Sequence, residues 1–99
     1  MSRITEAARG SPCRVRIPGY CNADPKTTVF AHYRGPGSGA GGNKKPIDLI
    51  GSDACSTCHD VLDRRTPSEY TREDLDKFHQ DGMTRTLVKN HAAGLIICL

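Results

Sequence analysis

The stretch Ala54-Cys55-Ser56-Thr57-Cys58-His59-Asp60 decides how the rest of the chain is read. A Cys-x-x-Cys-His run fits three chemistries: covalent attachment of a c-type haem, dithiol redox exchange, or metal ligation. Haem attachment takes place outside the cytosol, whereas "MSRITEAARGSPC" is polar and charged, without the apolar run of a secretory signal. A thioredoxin-like dithiol belongs between a strand and a helix in a βαβ unit, and no such pattern precedes Cys55. Metal ligation accounts for more of the sequence, because it also uses Cys13 and Cys21. In "CRVRIPGYC", Arg and apolar residues alternate on either side of the turn dipeptide Pro18-Gly19, which brings the two thiols together.

Two pairs, Cys13 with Cys21 and Cys55 with Cys58, can close a tetrahedral thiolate site of the kind zinc occupies. With four protein ligands such a site has no open position, so its role is structural. It would knot together a small core, which the composition requires: 99 residues, 36% apolar, no Trp, two Phe and three Tyr. A cytoplasmic setting is expected, where paired cysteines more often bind metal than form disulfides. No segment reaches membrane-spanning length. The fifth cysteine, Cys98, reads as a buried thiol in the apolar tail "LIICL".

The formal charge of +3 is mild, but its distribution is uneven. Arg14, Arg16, Arg34, Lys44, Lys45, Arg64 and Arg65 fall in the cysteine-bearing part, and Glu69, Glu73, Asp74, Asp76 and Asp81 follow. One basic face is expected, suited to a polyanion such as DNA.

Along the chain, "ITEAARG" reads as a short helix stopped by Gly10. "KTTVFAHY" is β-branched and aromatic, a strand with His32 near its end. "RGPGSGAGGNKKP" reads as a flexible cationic loop; Gly37 to Gly42 formally fit Gly-x-Gly-x-x-Gly, but no helix follows. "IDLIGS" is expected as a second strand, and Ser56 as the N-cap of a helix "TCHDVLDRR" that ends before Pro67. Thr71 with Asp74 marks a further helix start, running through "REDLDKFHQ" to Gly82, and "MTRTLVKNHAA" a last helix ending at Gly94. His79 and His91 read as surface or packing residues. One domain spans residues 1–99, with its core at about 11–66 and a helical part at about 68–94.

With the cysteines in a structural site, His59 is available for other chemistry. Asp63 lies four residues on and shares its helical face, a spacing at which the two can grip one divalent ion.

"AH" on a strand, a loop, "DLI", then "CSTCHD" on a helix resembles the ββα-metal (HNH) nuclease finger of the zinc-knuckled, treble-clef-like kind. More narrowly, "CRVRIPGYCN", "AHYRG", "KPIDLIGSDACSTCHDVLDRRT" and "GMTRT" resemble the small YbcO-type nuclease-domain proteins of temperate phages and prophages. The resemblance covers most of residues 7–86. It implies an α+β fold, a ββα-metal finger with a structural four-cysteine zinc and additional C-terminal helices. It also implies metal-dependent endonuclease activity on DNA, with His32 as general base and His59 as ligand of a catalytic Mg, Mn, Ni or Zn ion. Phosphodiester hydrolysis needs an activated water and a Lewis acid on the leaving oxygen, so a strand His facing a helix His suits it. Arg34, Arg64, Arg65, Lys44 and Lys45 would hold flanking phosphates.

The chain departs from the HNH pattern at Ala31, where a second metal ligand usually precedes the base. Asp63 is the first substitute donor by spacing, with Asp48 and Asp53 next. Loss of that donor motivates a rival expectation, a catalytically inactive zinc-stabilised DNA-binding module. The tail "LIICL" motivates another, a partner-docking phage protein; a homodimer or a recombination or DNA-processing partner would help so small a chain grip DNA.

Overall fold

The computed structural model describes residues 3–34 and 47–96. In chain order these form α1 (Arg3–Ala8), a 3₁₀ turn (Pro25–Thr27), β1 (Val29–His32), β2 (Gly51–Ala54), α2 (Ser56–Leu62) and α3 (Arg72–Ala92). The architecture is α+β: a two-stranded antiparallel sheet with helices packed on it.

β1 and β2 pair in the register Val29↔Ala54, Phe30↔Asp53, Ala31↔Ser52, His32↔Gly51. Gly51 is obligatory in that register, since a Cβ there would lie 2.6 Å from the Ala31 carbonyl oxygen and 2.7 Å from the Phe30 ring. The second strand therefore starts later than "IDLIGS" suggests: residues 47–50 form a turn, with Ile50 N–H donating to the Ile47 carbonyl at 3.0 Å. β1 is likewise shorter than "KTTVFAHY", because Asp24 caps the 3₁₀ turn by accepting from Lys26 N–H.

The N-cap of α2 is Cys55, not Ser56; its Sγ accepts from Cys58 N–H at 3.5 Å, so one sulfur both caps the helix and faces the other thiols. The helix closes at Asp63, earlier than Pro67 requires. Arg64 N–H donates to the Val61 carbonyl at 3.1 Å and Arg65 N–H to that of Asp60 at 2.8 Å. These two bonds make a Schellman turn, with Arg64 in the left-handed position at φ 61°.

The two helices expected after residue 71 are one. Thr71 and Asp74 form a reciprocal capping box, and α3 continues through Gly82 for 21 residues. Gly82 is a contact point rather than a stop: a Cβ there would lie 2.9 Å from Val15 Cγ2 and 3.1 Å from the Arg14 carbonyl oxygen. The buried face of α3, Leu75, His79, Gly82, Thr86 and Asn90, is mostly polar or small. It lies against β2, where Thr86 Oγ1 accepts from Asp53 N–H at 3.0 Å and Asp53 forms an ion pair with Lys89. Cys13, Val15, Ile17, Ala31, Ala54, Cys55, Cys58, Val61 and Leu75 make the apolar core, so three of the thiol-bearing residues belong to it. Among the described residues, no helix is long and apolar enough to cross a membrane.

Candidate active site

Two sites adjoin on α2. The first is the thiol cluster. Gly19, at φ +83°, lets the chain reverse so that Tyr20 and Cys21 N–H groups both donate to the Ile17 carbonyl, at 3.1 and 3.0 Å. The reversal returns Cys21 towards Cys13. The Sγ atoms of Cys13, Cys21, Cys55 and Cys58 all lie within 4.8 Å of one another, and Cys21 and Cys55 are 3.9 Å apart. A tetrahedron of Zn–S bonds about 2.3 Å long has edges of about 3.8 Å, so the donors fit a tetrahedral ion. Ile17 N–H donates to Cys58 Sγ at 3.5 Å, an interaction that stabilises a thiolate. A hydrogen bond from Cys58 lowers the Cys13 thiol to about 4, the same bond pushes Cys58 up, and burial raises Cys21. Burial of Cys55 is outweighed by hydrogen bonds from Thr57 and from the Cys58 N–H, which lower that thiol as well, so deprotonating the remaining two thiols calls for a cation.

The second site is a cleft of about 340 Å³ between β1, the end of α2 and the first turns of α3, lined by His32, Arg34, Asp63, Arg64, Asp76 and His79 among others. His32 follows the buried Ala31 on β1, and its Nε2 is 2.9 Å from Asp48 Oδ1. On α2, His59 Nε2 is 3.2 Å from Asp63 Oδ2. Asp48 and Asp63 thus stand beside different imidazoles. Asp53 is elsewhere: its carboxylate is fully buried and meets Lys89, with Arg14 Nε at 3.6 Å.

The basic residues divide in the same way. Arg14 faces Asp53, and Arg16 Nε donates to the Cys13 carbonyl at 3.2 Å, so both are used inside the fold. Arg65 is bound to Asp63 at 3.0 Å and to Asp60 at 3.3 Å. Arg34 and Arg64 line the cleft. Lys44, Lys45, the glycine run and Cys98 lie outside the described residues.

Four cleft residues that the sequence did not assign to the site, Arg72, Leu75, Asp76 and His79, lie on α3. His79 is buried and donates from Nε2 to the Ala31 carbonyl at 3.0 Å, and desolvation holds its pKa below the ordinary value. Arg72, two turns earlier on the same face at i−7, also lines the cleft. The spacing of Arg72, Leu75, Asp76 and His79 marks one face of the helix already expected from "REDLDKFHQ", and the structure adds that this face meets β1 and α2.

The fold and these sites define a small α+β protein that combines a cluster of four thiols at metal-ligand spacing with a histidine- and arginine-lined cleft. The family described as "Putative nuclease YbcO" matches residues 2–95, and the chain belongs to it. Relatives of the same description from Escherichia coli (strain K12) and from Enterobacteria phage 82 are each 47% identical over 91 residues, covering 89% of this chain and 90% of theirs. A solved structure, "Structure of a putative bacteriophage protein from Escherichia coli str. K-12 substr. MG1655", superposes with a TM-score of 0.76 at 44% identity, covering 91% of this chain and 98% of that one. The names borne by the family and these relatives are those of a nuclease of bacterial and phage origin.

Proposed function

We propose that the chain is a metal-dependent, HNH-like endonuclease that hydrolyses DNA phosphodiester bonds, in a single domain stapled by a structural zinc on Cys13, Cys21, Cys55 and Cys58. The observation that carries the reading is the shared cleft: His32 from β1 and Asp63, the partner of His59, line one depression together with Arg34 and Arg64. His32 accepts a proton from the attacking water, and Asp48, hydrogen bonded to the ring, orients it as a positioning residue. His59 and Asp63 would hold a divalent cation such as Mg, Mn, Ni or Zn, which when bound supplies Lewis-acid stabilisation of the leaving oxygen. Asp48 is thereby assigned to the base rather than to the metal. Arg34 and Arg64 hold phosphates; Arg65, tied to two carboxylates, orients Asp63 instead. Phage or prophage DNA processing or recombination in the cytoplasm is the setting consistent with the relatives' origins.

The second reading, a DNA-binding module without catalysis, is favoured by one observation: Ala31 is 2% exposed and offers no donor beside His32. Plasmid and oligonucleotide cleavage in Mg, Mn or Ni, for wild type and His32→Ala, separates the two. Nicking that disappears in the variant supports the nuclease. Salt-sensitive DNA binding without cleavage by either protein supports the module.

A further inference from the structure

We propose that the cleft continues into a second subsite that takes one unpaired nucleoside of the DNA strand, with Arg64 and Arg72 holding the phosphate between the two. This rests on the nucleic-acid reading above and adds to it a substrate class: a strand unpaired beside the reacting phosphate.

A second depression of about 270 Å³ adjoins the first, and Arg64, Arg72 and Leu75 line both. The two arginines therefore stand on the ridge between the depressions. Neither has a carboxylate partner among the described residues, whereas Arg14 and Arg65 are each bound to acids. Two guanidiniums left unpaired on one ridge match a phosphate, which they can grip through paired N–H groups.

Backbone strain points the same way. Arg64 occupies the left-handed position of the Schellman turn, at φ 61°, where glycine is the unstrained choice. A guanidinium at the mouth of both depressions gives that side chain a use that glycine could not supply.

The second depression differs in chemistry from the first. Asp63 and Asp76 line the first; among the described residues no carboxylate lines the second, which presents Thr66, Pro67, Ser68 and Tyr70. Hydroxyls beside an aromatic ring and a proline suit a sugar and a base, not a cation. The volume is close to the lower end of ligand-sized cavities, roughly 300 Å³, and holds one nucleoside rather than a stacked pair. A base inside a duplex reaches such a site only by leaving its stack, so a strand already unpaired there binds more readily.

The test is fluorescence anisotropy with a labelled 12-nucleotide single strand and the matching duplex, on zinc-loaded protein without other divalent ions, across a salt series. Zinc content is checked for each variant. Wild type is expected to bind the single strand at least fivefold more tightly. Arg72→Ala is expected to weaken single-strand binding about tenfold and to reduce the slope of log affinity against log salt by about 0.7. An abasic nucleotide placed along the strand is expected to weaken binding at one position more than at the others. Equal affinity for strand and duplex, or an Arg72→Ala variant with the wild-type salt slope, overturns the subsite, as does absence of single-strand binding at low salt. Tight, Arg72-dependent strand binding without cleavage in any metal would leave the subsite standing and remove the nuclease.

Discussion

His32 and Asp48 are joined by a 2.9 Å hydrogen bond that links β1 to the turn preceding β2, although sixteen residues separate them in the chain. The bond fixes which ring nitrogen of His32 is engaged and leaves the other for a reacting water. If His32 is the base, His32→Ala lowers kcat by about 10² to 10⁴-fold. Asp48→Ala, which leaves the imidazole present but unoriented, lowers it by about 10 to 100-fold. Initial rates on a nicked-plasmid assay check both, with KM for DNA expected to change little in either variant.

The four thiols predict about one zinc per chain by elemental analysis. Cys58→Ser removes a thiolate ligand and puts a hydroxyl into a core that includes Cys13 and Cys55, and the loss of cooperative thermal unfolding is expected. Ligation requires deprotonated sulfurs, and the Cys58 and Cys21 thiols lie above their ordinary value in the metal-free protein. Zinc affinity should therefore fall steadily on acidification from pH 8 to pH 5, measurable by competition with a chromogenic chelator.

Arg64→Gly relieves the left-handed strain at φ 61°. Stability should rise by about 1 kcal/mol while affinity for DNA falls, an opposition of sign that a damaged fold would not produce. Urea denaturation and anisotropy on the same preparation check it.

Asp53 is fully buried against Lys89 and Arg14, with its Oδ1 lacking a hydrogen-bond partner. Lys89→Leu leaves Asp53 with Arg14 at 3.6 Å as its remaining cation and should cost about 2 to 3 kcal/mol. Replacing both Asp53 and Lys89 by leucine removes that pair's desolvation cost together with its attraction but leaves Arg14 without a carboxylate, so the double variant should recover only part of the loss. Chemical denaturation of the two single variants and the double variant completes the cycle.

His79 supplies a pH prediction. Burial, with a smaller contribution from His59, lowers its pKa, while the Ala31 carbonyl, Asp63 and Asp76 pull upwards. A folded value below the ordinary 6.5 means that the unfolded chain binds the extra proton first. Stability is therefore highest above pH 6.5 and declines as pH falls below it. His79→Gln, which keeps a donor for Ala31, should flatten this part of the profile, as thermal melts between pH 5 and 8 would show.

The cysteine spacing and the capping pair Thr71–Asp74 were legible in the sequence because each is a local rule. So was the small α+β character, from "TTVFAH" and the helix after Cys55. The boundaries that moved were set by tertiary contacts. Gly82 looks like a stop in one dimension and is a close approach to Val15 in three. β2 runs through Gly51–Ala54 because those residues, not the more apolar "IDLI", pair with β1 and lie under α3. The inner face of α3 escaped notice because Thr86 and Asn90 are buried where an apolar stripe would be sought. Arg72 and His79 shared a face of the expected helix "REDLDKFHQ" already, but that this face meets β1 and the end of α2 is a tertiary fact.

Cys58 and His59 are consecutive on α2, and Cys55 caps it. The helix that carries His59 and brings Asp63 to the cleft is thus tethered, at its first turn, to the hairpin of Cys13 and Cys21. A newly made chain has the imidazole but not yet its anchorage. Whatever keeps the four sulfurs apart would therefore also keep Asp63 from its place in the cleft wall.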